Sequence, residues 1–404
     1  MAVRLISGCK AAAEAARLSN VNVVAAYPIT PQTSIVEQLA QDVANGKLLA
    51  EMVLVESEHS AMSACVGAAM VGARAFTATA SQGLALMHEV LFYASGLRLP
   101  IVSVVANRSL ASPVTIFADF KDSLAQRDTG WLQFYAESCQ EILDSILIAY
   151  RVIEDGRVLL PAFICMEGFV LSHLSEPVDI PDKDLVTAFL PRLAPQYPIL
   201  DLDDPKIFNV MAFPDTYEEF ERDKHISMRN AFKVLGEAYQ DFEKIFGRHY
   251  GDIETYQTED AEIVLITMGT AAGNAIPVVD QLRANGQKVG MIRVRTFRPF
   301  PIVQIQQELA CAKIVGVVDR AISPGSSGIL FQEITSCLIN NPDHPLIQDF
   351  IVGLGGRDIH FDTISKIFLT LMDTLQKGYV PKTINWPDEN REIMLAWGLP
   401  FDND

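Results

Sequence analysis

This 404-residue chain has no CxxC pair. Its six cysteines, Cys9, Cys65, Cys139, Cys165, Cys311 and Cys337, stand far apart. Zinc and iron–sulfur sites need clustered thiolates, so neither is written into this sequence. Scattered cysteines on apolar stretches are expected to be reduced core residues of a cytosolic protein. No apolar run reaches membrane-spanning length, and the opening MAVRLISGCKAAAEAARLS lacks the apolar stretch of a signal peptide. The cytoplasm is therefore the expected location, with no membrane span. A formal charge of −18 and the lack of any Lys/Arg run exclude a nucleic-acid backbone as partner. What remains is 49% hydrophobic and 20% charged, the balance of a folded chain with two or three domains.

Apolar strands and helices alternate from the start. Residues 8–18 are rich in alanine and predict a closely packed helix. Strands are expected at 21–26, 52–55, 75–79, 101–106 and 158–165, the last interrupted by Pro161, with helices at 35–43, 60–71, 84–93 and 140–151. This order predicts an α/β fold with a mostly parallel sheet covered on both sides. In such sheets ligands bind beyond the carboxyl ends of the strands, where Thr30, Glu58, Ser81 with Gln82, and Arg108 all fall.

The most distinctive end is YPITP, Tyr27 to Pro31. Two prolines three apart stiffen it and bias Tyr27 and Thr30 away from helix, leaving Thr30 on an extended tip. Ser34 is placed to cap the next helix. A structural turn and a binding loop both satisfy this segment taken alone. Residues 108–131 form a long loop mixing charges (Arg108, Asp119, Lys121, Asp122, Arg127, Asp128) with Phe117, Phe120 and Leu124. Loops of this length serve as lids, binding loops or subunit contacts more often than as spacers.

Beyond His173 the texture turns proline-rich and acidic, and 176–214 reads as an extended crossing segment. An amphipathic helix follows at 226–246, and a second α/β unit begins near residue 261. The expected organisation is a first domain at 1–185, a linker with the amphipathic helix at 186–260, a second domain at 261–378 and an extended tail at 379–404. Gly353, Gly355 and Gly356 do not match the dinucleotide fingerprint and are expected in a tight turn. Arg295, Arg298 and Arg357 suit either anion sites or ion pairs.

The series YPITP, ESEHSA, ATASQG, NRSLASP and QRDTGW, followed by TFRPFP and GLGGRD, resembles the alpha subunits of thiamine-diphosphate-dependent 2-oxoacid:ferredoxin oxidoreductases. The likeness is greatest to the multi-subunit pyruvate (pyruvate synthase) type and covers nearly the whole chain. It implies a pyrimidine-type, thiamine-diphosphate-binding parallel-sheet domain followed by a transketolase C-terminal-like α/β domain. It also implies an enzyme active only in complex. A beta subunit would bring the diphosphate-binding motif, Mg2+ and an iron–sulfur cluster; gamma and delta subunits, or their equivalents, would complete the complex. Ferredoxin or another acceptor, coenzyme A and the 2-oxoacid would be its further partners. The lack of a GDG-type magnesium motif and of CxxC runs agrees with this division.

By the resemblance, Glu58 matches the glutamate that hydrogen-bonds N1′ of the aminopyrimidine, with Glu56 as the rival two residues away. Thr30 and Arg108 match the residues at the 2-oxoacid carboxylate, where a guanidinium gives charge-assisted pairing. Pro28, Ile29, Ser81 and Gln82 are expected at the cofactor, and no metal ligand is expected in this chain. Single-chain members of the family carry a histidine in an AxHAL-like run. Here the run is Ser112, Pro113, Val114 and Thr115. That departure leaves substrate size open between pyruvate and a branched or aromatic 2-oxoacid such as phenylglyoxylate, with Phe117 and Phe120 as the bulky loop residues. Two alternatives stand beside this reading: a non-catalytic partner that retains the fold, and another class of thiamine enzyme.

Overall fold

A computed structural model describes residues 2–400, so residue 1 and the last part of the tail, 401–404, lie outside the described residues. The chain forms two compact units. The first runs to Asp252 and takes in Arg295–Pro301; the second comprises Ile253–Val294 and resumes at Ile302. In chain order the strands begin with β1 (Ala2–Ser7), β2 (Val23–Ala26), β3 (Glu51–Leu54), β4 (Ala75–Thr79) and β5 (Ile101–Asn107). They continue with β6 (Leu132–Tyr135), β7 (Ala162–Glu167), β8 (Ser175–Ile180), β9 (Ile253–Tyr256) and β10 (Ile263–Thr267). The last are β11 (Val289–Val294), β12 (Thr296–Arg298), β13 (Ile314–Asp319), β14 (Leu346–Ile351) and β15 (Ile384–Asn385).

The main sheet of the first unit has the order β12-β6-β7-β5-β4-β2-β3, all parallel except β12, which runs antiparallel to β6 at the edge. Its middle strands β4, β5 and β7 are buried at every residue. That is why they read as mostly apolar runs, broken only by small or uncharged polar residues such as Thr77 and Ser103, until the polar ends Asn107 and Glu167. Pro161, which lacks a ladder donor, sits just ahead of β7 instead of inside it. The alanine-rich helix Gly8–Leu18 and the helix Cys139–Ile153 bury most of their residues in one core with the sheet. Small side chains let the first of them approach closely.

Several expectations need correction. Residues 84–93 do not form one helix: Ser81–Leu86 and His88–Gly96 are separate, joined at Met87. The supposed crossing segment contains β8, which pairs antiparallel with β1, and a helix, Lys183–Phe189. Residues 190–216 lack helix and strand. The amphipathic helix placed in the linker begins at Tyr217 and runs to Phe246. It buries Ala231, Val234, Leu235, Ala238 and Phe242 in the first unit's core, with Phe242 edge-on to Phe189 at 5.2 Å. An apolar stripe of that length needs a surface to cover it, so the helix is part of this unit. Arg295, read as either an anion site or an ion pair, is 1% exposed and paired with buried Glu141, with Ser145 Oγ accepting from it at 2.8 Å.

The second unit's sheet has the order β15-β14-β13-β10-β11-β9, parallel but for β9. Gly353, Gly355 and Gly356 all have positive φ, as a tight left-handed turn requires. The described part of the tail is not purely extended: β15 pairs with β14, and Arg391–Ala396 is a short helix capped by Asn390. An open sheet edge offers unpaired backbone groups that a passing strand satisfies. Among the described residues no helix is long and apolar enough to cross a membrane.

Candidate functional site

Because β2, β3, β4 and β5 are parallel neighbours, their carboxyl ends share one edge of the sheet, and each expected site residue follows one of them. Tyr27–Pro31 follows β2, Glu58 follows β3, Ser81 and Gln82 follow β4, and Arg108 follows β5.

Glu58 is the first residue of the helix Glu58–Met70, whose N-cap Ser57 accepts from Ser60 N at 3.2 Å. A carboxylate in that first turn is favoured by the helix dipole. Glu58 is 6% exposed, yet none of the described residues hydrogen-bonds its carboxylate. It lies against Gly83: a methyl on that Cα would be 2.5 Å from Glu58 Oε1 and 2.7 Å from Thr79 Oγ1. Thr79 Oγ1 is itself buried without a partner. The rival Glu56 is exposed and accepts from Ser60 Oγ at 2.6 Å, a bond that holds its carboxyl below the usual range.

The small-residue edge at Gly83 gives a direct test. Gly83→Ala puts the new methyl inside contact distance of Glu58, and overpacking of this kind costs about 1–3 kcal/mol. We expect weaker thiamine diphosphate binding by the assembled complex, measured by calorimetry; parental affinity would show that Glu58 does not need its present position.

Thr30 is exposed at the tip, Pro28 is exposed, and Ile29 is half-buried. Arg108 reaches Thr30: Nη1 donates to the Thr30 carbonyl at 3.0 Å, and Nε donates to Thr115 O at 3.0 Å. Two carbonyls thus orient the guanidinium, and its Nη2 has no acceptor among the described residues. Ser34 does not cap the following helix. That helix starts at Thr33, with Gln32 at the cap position, and Gln32 Nε2 turns back to Tyr27 O at 3.0 Å.

Ser81 is buried in a left-handed conformation, φ +48°, and its hydroxyl has two acceptors for its one proton, Ser109 O and Gln82 Oε1. Its N–H donates to Asp122 Oδ2 at 2.9 Å. Asp122 was visible in the sequence only as one charge among several in the loop. It is completely buried, and burial pushes its carboxyl up to about 6 although several N–H donors oppose the shift. Nothing local in the sequence marks it, because its partners lie on β5 and after β4. Asn107, Gly83 and Thr79 stand inside the ATASQG and NRSLASP motifs, but their grouping with Asp122 and Glu58 is made across the fold.

Phe117 and Phe120 part company. Phe120 is 2% exposed and packs edge-on against Tyr135 at 5.0 Å, so it belongs to the core and cannot gauge a substrate. Phe117 is exposed and lies on Phe169 at 5.3 Å.

The edge beside Gly83 therefore combines a buried carboxylate with no partner, a buried hydroxyl with no partner, and a Cα with room only for hydrogen. Those groups suit a flat ring carrying hydrogen-bond donors and acceptors, as an aminopyrimidine does.

Two family models match the chain: pyruvate flavodoxin/ferredoxin oxidoreductase, thiamine diphosphate-binding, over residues 14–240, and pyruvate:ferredoxin oxidoreductase core domain II over residues 261–364. The chain is 48% identical over 385 residues to pyruvate synthase subunit PorA of Pyrococcus horikoshii, covering 95% of this chain and 98% of the relative. It is 49% identical over 368 residues to the PorA of Methanocaldococcus jannaschii, covering 90% and 94%. Ketoisovalerate oxidoreductase subunit VorA of Pyrococcus horikoshii is 45% identical over 384 residues, covering 95% and 97%. Among solved structures, a 2-oxoglutarate:ferredoxin oxidoreductase from Magnetococcus marinus superposes with a TM-score of 0.70 at 18% identity, covering 91% of this chain and 65% of that one. A split-gene transketolase superposes with a TM-score of 0.53 at 10% identity, covering 91% and 98%. The two superpositions speak to the fold alone.

Proposed function

The chain belongs to the pyruvate:ferredoxin oxidoreductase family, and from that premise we propose how its residues divide the work. It is the alpha subunit of a multi-subunit, thiamine-diphosphate-dependent 2-oxoacid oxidoreductase. The reaction takes pyruvate, coenzyme A and oxidised ferredoxin to acetyl-CoA, CO2 and reduced ferredoxin, or runs in reverse. The end-to-end match to PorA carries this reading.

When bound, thiamine diphosphate supplies the nucleophilic carbon and electron sink that decarboxylation of a 2-oxoacid needs. In our reading Glu58 takes the aminopyrimidine ring nitrogen and exchanges a proton there, and burial beside Gly83 strengthens that bond. Pro28, Ile29, Ser81 and Gln82 shape the cofactor side of the edge. Thr30 and Arg108 take the carboxylate of the oxoacid, with the open Nη2 of Arg108 as the free prong. Phe117, with exposed Val114 and Ile116, lies on the loop that follows Arg108, and this exposed apolar stretch supports a partner surface there. The beta subunit completes the site with the diphosphate motif, Mg2+ and an iron–sulfur cluster, and gamma and delta subunits or their equivalents carry electrons to ferredoxin. The free thiols of all six cysteines support a reducing, cytoplasmic setting.

Reconstitution tests the whole. This chain alone is expected to reduce neither ferredoxin nor viologen with any 2-oxoacid, whereas the complex with its partner subunits reduces them with pyruvate and coenzyme A. Turnover by the isolated chain would overturn the division of labour. Because a VorA is nearly as similar as the PorA relatives, the complex should also be given 2-oxobutyrate, 2-oxoisovalerate, 2-oxoglutarate and phenylglyoxylate. A kcat/KM for 2-oxoisovalerate above that for pyruvate would move the assignment to the branched-chain acid.

A further inference from the structure

We propose that Asp122 is the positioning residue of the oxoacid site, holding the ends of β4 and β5 in register so that Arg108 stands correctly beside Thr30. This inference rests on the reading of Arg108 as the carboxylate contact.

One oxygen of Asp122 bridges two strand ends. Oδ2 accepts from Ser81 N and from Arg108 N, each at 2.9 Å. The other oxygen secures the carboxylate itself: Oδ1 accepts from Asn107 Nδ2 at 2.7 Å and from Ser123 N at 2.8 Å. Ser123 is held in turn, with its Oγ 2.8 Å from Tyr135 OH and its carbonyl accepting from Gln133 Nε2 at 3.1 Å. Asp122 is thus anchored to β6 through Ser123, and it presents Oδ2 to the edge where the site residues stand.

The geometry needs a carboxylate. Four N–H groups share two oxygens, and each oxygen has two lone pairs to offer. An amide in the same place has one oxygen, so whichever way it turns, its own N–H groups face two of those donors. Buried donors without acceptors shift until they find one. Here the donors are the backbone of Ser81, already in the left-handed region, and the backbone of Arg108. A small rotation at Arg108 N moves a guanidinium whose remaining bonds, to Thr30 O and Thr115 O, depend on its reach. Asp122 touches neither substrate nor cofactor in this reading. It acts through Arg108.

The test uses the assembled complex with four alpha chains: parent, Asp122→Asn, Arg108→Ala and the double variant. Asp122→Asn is expected to raise the pyruvate KM by roughly 10–100-fold, the scale of a misplaced positioning group, with a smaller loss of thiamine diphosphate affinity, because Ser81 N shares the oxygen that holds Arg108 N. The double variant is expected to match Arg108→Ala, since residues acting through one another are not additive. An Arg108→Ala defect to which Asp122→Asn adds in full overturns this inference alone. An Arg108→Ala complex with parental pyruvate KM overturns the reading of Arg108 and this inference with it. If Asp122→Asn lowers cofactor affinity and leaves the KM unchanged, its role is structural and the proposal fails.

Should the variant not assemble, the parent complex answers by its pH profile. Burial raises the Asp122 carboxyl to about 6; Asp119 raises it further, and the bonds from Asn107, Arg108 N and Ser81 N oppose the shift. The other titratable groups it meets are Tyr135 on β6 and Cys165 on β7, both pushed up by burial. Protonation removes acceptor capacity, so the pyruvate KM should rise as the pH falls through about 6, by more than any accompanying loss of thiamine diphosphate affinity. A flat KM across that range overturns the proposal.

Discussion

Glu58→Gln is expected to leave the complex assembled and to lower its pyruvate-dependent activity by at least roughly 10²-fold, the usual loss when a positioned acid–base group is removed. The amide has the carboxylate's shape, so the tight fit against Gly83 and Thr79 is kept and assembly should not suffer. What changes is the chemistry at the buried end. The side chain no longer takes and returns a proton, and the ring nitrogen it faces meets an amide. The matched control is Glu56→Gln. Glu56 is exposed and tied to Ser60, so its loss should leave activity near the parent's. The measurements are viologen reduction and hydrogen exchange at C2 of the bound cofactor, the second separating a chemical defect from a folding one. Activity within a few-fold of the parent would remove Glu58 from the mechanism.

Arg108→Ala is the second large effect. Removing a charge-assisted partner costs about 2–5 kcal/mol, so kcat/KM for the oxoacid should fall more than roughly tenfold. Cofactor binding should stay near normal, because the proposed division of the site gives that end to Glu58 and a beta subunit. Arg108→Lys should recover only part of the loss. The guanidinium spends Nε on Thr115 O and Nη1 on Thr30 O while keeping Nη2 open; a single ammonium cannot hold both carbonyls and also face a carboxylate squarely. Every 2-oxoacid in the panel shares the carboxylate, so the loss should be similar for each. A variant turning over at parental rates, or one that loses only thiamine diphosphate, would make Arg108 a structural residue.

The candidate site is legible where its proposed residues sit next to strand ends in the sequence. Thr30, Glu58, Ser81 and Arg108 each follow the end of an apolar run, and a parallel sheet sends all those ends to one edge. The loop after Arg108 was visible as a loop, but not its internal sorting. Phe117 and Phe120, three residues apart, end up exposed and buried respectively. Local composition does not distinguish them, since the difference lies in which one meets Tyr135 on β6.

Period and composition by themselves determined the α/β class, the alternation of strands and helices, and the polar strand ends. Those depend on residues a few positions apart, where burial on both faces leaves a mostly apolar signature without alternation. Tertiary structure alone decided the rest. β1 met β8 across the whole first unit, the helix Tyr217–Phe246 became core instead of linker, and Arg295 found Glu141 in a buried pair. It also turned Asp122 from one loop charge among several into the carboxylate that joins β4 to β5. Each of these is a contact between segments remote in sequence, set by which surfaces remain to be covered once the sheet has formed, and no local pattern records that choice.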